Sequence, residues 1–265
     1  MNRYLFAILL FSLMSFSLEK NLDATKSRLS KTEQYLYNGS SFYKTVESYY
    51  YSQNKLDSIV NILTDKEHDD WPVKEAFTFI YNSNTVDVYI EGRYYPKATK
   101  IRHYAFNSDG NLSKILIFEN DRITCDQTYS YDKQNKTIKV ETIDSKRFEE
   151  YNETKESIYY MSDSNNIDST YEYITRDKQR KLDSREVFKY DSGPNPFKNL
   201  IYYSISKIFF NSNNCVSYQF LDSHHDNKVH KESYKYDDKF RLLKNFDDDI
   251  YESDSIVTTF KYLDK

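Results

Sequence analysis

The side chains best equipped for chemistry lie in one short stretch, Asp222, His224, His225 and Asp226, with His230 close behind. Imidazole and carboxylate are zinc-ligand types. His224 and His225 are adjacent, however, so on a strand they point to opposite faces. Asp226, Asn227 and Lys228 also read as the tip of a hairpin. His224, His225 and Asp226 are therefore weak metal candidates, and no metal or other cofactor is expected. Asp69 and Asp70, and the run Asp247, Asp248, Asp249, offer oxygens to calcium without the ligand order of a calcium loop. There is no G-x-S-x-G elbow and no H-E-x-x-H helix, so no residue is assigned a catalytic role. A pair of carboxylates assembled in space leaves no trace in sequence. A hydrolase with a cryptic acidic site is thus the third-ranked reading.

The remaining candidates are aromatic. The chain of 265 residues holds 27 tyrosines and 17 phenylalanines against four glycines and four prolines. A ring offers a flat apolar face, and tyrosine adds a polar tip, which suits stacking on sugars or protein contact. Trp71, in a loop between Asp70 and Pro72, and Tyr104, Tyr131 and Tyr236 in the strands are the candidate binding residues. Rings paired across strands also simply hold a sheet together, and that accounts for most of them.

The elements that would position these rings follow from a repeat. Its plan is aromatic, any residue, aromatic, a short polar turn, then Leu or Ile, often with another apolar residue three later. Tyr104, Phe106, Asn107, Gly110, Leu112 and Ile115 form the cleanest copy. Tyr129, Tyr131, Asp132, Asn135 and Ile138 form another, and Tyr49, Tyr51, Asn54, Leu56 and Ile59 a third. Weaker copies start at Tyr159, Tyr171 and Tyr234, and Phe260 with Tyr262 is a truncated last one. Residues two apart share a face of a strand. Asp, Asn or Ser after the second ring captures a backbone N–H and starts a turn. Gly110, Asn135 and Asn165 are placed to take the positive φ that closes it. Phe77, Phe79, Tyr81, then Asn82 to Asn84, then Val86, Val88, Ile90 give the same hairpin signal.

Three stretches break the rhythm. Residues 1–17 run from Arg3 through an apolar core to Ser15 and Ser17, the layout of a signal peptide. The core is shorter than the roughly 20 residues of a membrane-spanning helix, so no transmembrane segment is expected after cleavage. Residues 18–34 place Leu18, Leu22 and Leu29 as in a short helix or tether, leaving 35–265 as the hairpin-repeat domain. In the third, Asn195 is placed to cap a helix opening at Pro196; residues 196–210 read equally as helix or as loop and strand. Cys125 and Cys215 fit either one disulfide in an exported chain or two free thiols. The formal charge of −4, with no Lys/Arg block, lacks the footprint of a nucleic-acid binder.

The pairs Tyr131-Asp132, Tyr190-Asp191 and Tyr236-Asp237 resemble the YD repeats of the Rhs-type bacterial envelope proteins, and the chain is similar to small exported members of uncharacterised function. The resemblance spans most of residues 35–262, although only Gly110-Asn111 keeps the turn glycine of the family. It implies architecture and location and brings no catalytic residues. The expected fold is all-β: an antiparallel meander of repeated hairpins in a twisted, curved, open sheet, with or without one short covering helix. The expected function is that of an exported non-enzymatic envelope or secreted protein for binding or scaffolding, periplasmic, cell-surface or secreted. Its partner is an unknown envelope protein or a glycan. A carbohydrate-binding module using exposed aromatic residues is the alternative.

Overall fold

The computed structural model describes residues 28–38, 41–53, 55–65, 72–198, 210–221, 229–237, 241–247 and 254–263. The strands are β1 (Arg28–Asn38), β2 (Ser41–Ser52), β3 (Lys55–Asp65), β4 (Val73–Asn82), β5 (Thr85–Gly92), β6 (Thr99–Phe106), β7 (Leu112–Glu119) and β8 (Arg122–Asp132). They continue as β9 (Thr137–Asp144), β10 (Glu153–Met161), β11 (Ile167–Arg176), β12 (Gln179–Pro194), β13 (Asn213–Phe220), β14 (Val229–Tyr236), β15 (Leu242–Asp247) and β16 (Asp254–Leu263). Each pairs antiparallel with its neighbours in sequence, as the hairpin repeats require. The curved sheet is not open, however: β1 pairs with β16 from Arg28–Leu263 to Asn38–Asp254, and the sixteen strands close into a barrel. Closure leaves no unpaired edge, which an open sheet would have exposed to other chains.

The pairing explains how the ends meet. In each ordinary repeat the second inward side chain faces the first apolar residue of the returning strand. Tyr51 lies opposite Leu56, Tyr81 opposite Val86, Phe106 opposite Leu112, Tyr131 opposite Ile138, Met161 opposite Ile167 and Tyr236 opposite Leu242. The last copy has no returning strand of its own. Tyr262 pairs instead with Leu29 of β1, and Leu29 is buried. One repeat is therefore split between the two ends of the chain. Residues 28–34, which the leucine spacing suggested as helix or tether, are strand, because both flanks of β1 are zipped to β2 and β16.

Turn chemistry follows the repeat closely. The Asn107 carboxamide accepts from Asp109 and Asn111 N–H, Asp132 from Asn135 N–H at 2.9 Å, and Asp237 from Arg241 N–H at 2.8 Å. Gly110 and Asn165 take positive φ as expected, whereas in the third turn it falls on Lys136 at 50°, not Asn135. Asn135 is used differently there, with both its backbone and its side chain bound to the Asp132 carboxylate. At the other end of the barrel, Asn120-Asp121 and Asp177-Lys178 form two-residue reversals with both φ positive.

A sixteen-stranded barrel walled by small side chains would enclose a channel. Here large rings fill it. Tyr49, Phe79, Tyr104, Tyr129, Tyr159 and Phe260 point inward as one layer, with Tyr51, Tyr81, Phe106, Tyr131, Tyr236 and Tyr262 beneath them nearer the repeat turns. Ile59, Val88, Ile115 and Val140 interleave from the returning strands. The insertion after β12 joins this core: Phe210 sits 6.0 Å from the Tyr129 ring and 5.9 Å from Tyr159, and Phe197 5.6 Å from Phe260. Asparagines anchor it. Asn166 accepts from Ser212 and Asn213 N–H, Asn211 accepts from Ile167 N–H, and Asn214 donates to Pro194 C=O and the Tyr236 hydroxyl. Asn195 accepts from Phe197 N–H at 2.9 Å, the bond of a helix cap, while residues 199–209 lie outside the described part. The described helix, α1 (Ser145–Tyr151), joins β9 to β10 and is capped by Asp144.

Candidate functional site: the open end of the barrel interior

One inward face runs from sealed to wet along a single strand. On β3, Ile59 is fully buried opposite Tyr49 and Phe77, whereas Leu63, four residues on and on the same face, is 41% exposed. Inward-facing Lys155 of β10 behaves likewise, its side chain 43% exposed. The interior is thus packed toward the repeat turns and reached by solvent toward the other end.

Where these regions meet stands a ring of polar side chains set two residues before the first ring of a repeat. Tyr49 donates to Glu47 at 2.6 Å, Tyr129 to Gln127 at 2.9 Å and Tyr234 to Glu232 at 2.6 Å. Each tyrosine buries its ring in the core and spends its hydroxyl on the layer above. Burial raises the Tyr129 and Tyr234 hydroxyls well above the ordinary phenol range, so they remain protonated donors. The fourth member breaks the rule: Arg102 stands two before Tyr104 and carries only donors, and the buried Tyr104 hydroxyl has no partner.

On the adjoining arc, Glu172 gathers Lys155 at 2.7 Å and the hydroxyls of Ser157 at 3.5 Å and Ser184 at 3.3 Å. Glu186 faces inward one step deeper, opposite Thr170. At the rim Glu153 binds Arg147 of α1 at 2.8 Å and Arg176 at 2.7 Å, and these guanidinium groups, Arg147 first, hold its carboxyl below the usual range. Phe77, Ile90 and Ile117 add apolar side chains on the strands around Arg102.

The sequence candidates scatter differently. Tyr104, Tyr131 and Tyr236 all point into the barrel: Tyr104 is fully buried, Tyr131 donates to Leu112 C=O, and Tyr236 binds Asp191 and Asn214. They are core rings with satisfied or sealed tips, not parts of an exposed patch. Trp71, His224, His225 and Asp226 lie outside the described residues. Among the described residues no cluster of three metal-ligating side chains forms. Both cysteines are free, and burial pushes their thiols up, Cys125 to about 11 and Cys215 to about 12. The polar ring was missed by sequence reasoning, although its signal was present as Glu47, Gln127 and Glu232 at a constant offset from Tyr49, Tyr129 and Tyr234.

No protein-family model matches the chain, and no curated protein matches its sequence. Solved structures do match in shape. The chain resembles porin-like barrels. A porin-like protein from Bacteroides uniformis superposes with a TM-score of 0.58 at 14% identity, over 89% of this chain and 96% of that one. A porin-like protein from Bacteroides vulgatus gives 0.56 at 10% identity, over 90% and 100%. At these identities the likeness is one of fold.

Proposed function

We propose that the chain is an exported, non-enzymatic envelope or secreted protein that binds a hydrophilic ligand in the open end of its barrel. The observation that carries this reading is the change along the inner face from fully buried Ile59 to exposed Leu63, with the polar ring between. A packed floor below a wet polar mouth makes a cup, and a cup suits capture better than passage. The inner carboxylates Glu47 and Glu172 are held by neighbouring hydroxyls and Lys155, an arrangement for binding geometry.

The outer wall supports placement in water. Asp87 bridges Lys100 and His103 at 2.7 Å each, Lys114 meets Asp126 at 2.9 Å, and Lys139 meets Glu156 at 2.6 Å, all facing outward from within their strands. Lipid facing these charges would cost about 2–4 kcal/mol for each lysine near the bilayer midplane. No helix among the described residues is long and apolar enough to cross a membrane. Kinship with the YD-repeat proteins belongs to the same reading, supported by the turn bonds of Asp132 and Asp237.

Residues 1–30 fused to a phosphatase that works only after export are expected to yield activity outside the cytoplasm; activity retained inside contradicts export. Purified protein added to planar bilayers is expected to give no conductance, and stable ohmic steps contradict the cup. A second reading, carbohydrate capture by exposed rings, is favoured by one outer-wall feature. Tyr160 and Tyr171 stack edge-on at 5.4 Å, with Arg185 over Tyr171 and Arg180 over Tyr173. Tyr173→Ala would separate that surface from the cup.

A further inference from the structure

We infer that the polar ring inside the cup is a site for a neutral saccharide, an inference that rests on the cup reading above. Asn61 Oδ1, the Tyr104 hydroxyl and Thr170 Oγ1 are buried polar atoms of inward-facing residues that make no hydrogen bond. Tyr104 on β6 and Thr170 on β11 are both fully buried. An unpaired buried polar group costs about 1–3 kcal/mol, and three around one ring mark a place where a bound molecule, or the waters beneath it, supplies the missing bonds.

The chemistry of the ring selects the class. A sugar hydroxyl both donates and accepts, so its site needs both functions on rigid supports. Gln127 carries an amide, Arg102 donates, and Glu47 and Glu172 accept, all from paired strands. Glu172 is paired with Lys155, and the oxygens of Glu47 and Glu172 already accept from Ser, Thr and Tyr hydroxyls, which leaves less of them for an added charge; spermidine tests that point directly. Phe77, Ile90 and Ile117, on the strands around Arg102, supply apolar surface that suits the C–H face of a pyranose. The ring thus sets apolar side chains next to hydrogen-bonding groups, as a sugar does.

Three substitutions delete the orphaned groups while keeping the interior filled: Asn61→Leu, Tyr104→Phe and Thr170→Val. Maltose, cellobiose and N,N′-diacetylchitobiose, each titrated calorimetrically into the full chain, are the probes, with spermidine and inorganic phosphate as controls. At least one disaccharide is expected to bind, to be recovered intact, and to lose tenfold or more in affinity in each variant, while urea midpoints stay at or above the parent value. Tyr173→Ala on the outer wall is expected to leave that affinity unchanged. Loss of binding in Tyr173→Ala with retention in the three inner variants overturns the inference and favours the outer rings. Spermidine binding weakened by the inner variants, with no disaccharide bound, overturns the saccharide class and leaves the cup standing. No binding of any disaccharide to folded protein overturns the inference; bilayer conductance overturns the cup itself.

Discussion

At the residue scale the tyrosines are informative because each has two ends in different surroundings. Tyr129 buries its ring beside Phe210 and donates to Gln127, so Tyr129→Phe is expected to lower stability by about 1 kcal/mol in urea denaturation. Tyr104→Phe removes an unpartnered hydroxyl and should leave stability equal or higher. Cys125 and Cys215 are held as thiols by burial, Cys125 also by Asp144 and Cys215 by Glu232. At pH 8 both thiols are expected to react with a disulfide dye more slowly than free cysteine and to speed up as pH rises toward 11; a rate equal to that of free cysteine contradicts the shift. Glu153 has a folded carboxyl pulled below its ordinary value, so its contribution is full above an unfolded pKa of about 4.3 and fades as pH falls through the folded value. The melting-temperature deficit of Glu153→Gln should accordingly be present at pH 7 and shrink toward pH 3.

At the scale of elements the hairpins were legible because their signals are local. The alternation of Phe77, Phe79 and Tyr81, and the carboxylates and amides after each second ring, lie within a few residues of the turns they make. Less local features were hidden. Leu29 looks like part of a helix until Tyr262, at the far end of the chain, appears beside it. Lys136 takes the positive φ foreseen for Asn135 because Asn135 is bound twice to Asp132. The split repeat makes β1 the strand on which closure depends. Leu29→Ala is expected to cost about 2–5 kcal/mol, as in other buried large-to-small changes, although Leu29 stands at the very start of β1. A loss under 0.5 kcal/mol in urea denaturation would show that the barrel does not rely on that seam. The insertion has a similar point of dependence at Gly193, where an added Cβ would stand 2.2 Å from the Tyr236 ring. Gly193→Ala should therefore push Tyr236 from Asn214 and Asp191 and lower the melting temperature.

For the whole molecule, composition announced a sheet but not its closure. Whether a curved meander stays open or meets itself depends on strand number and on the match between its first and last strands, and neither is a property of one repeat. The abundance of rings gains its explanation only in the barrel, where a wide interior needs large side chains to fill it. The polar ring depends on closure in the same way, since Glu47, Gln127 and Glu172 converge only because the sheet returns on itself. The division of that interior into floor and mouth is the claim on which the functional account stands. It can be tested on one strand with single cysteines at Leu63 and Ile59, in a chain whose Cys125 and Cys215 are serine, folded without detergent and treated with a membrane-impermeant thiol reagent. Leu63→Cys should label within seconds and Ile59→Cys at least a hundredfold more slowly. Equal, rapid labelling at both positions would mean that water runs through the barrel, and the cup would have to be given up.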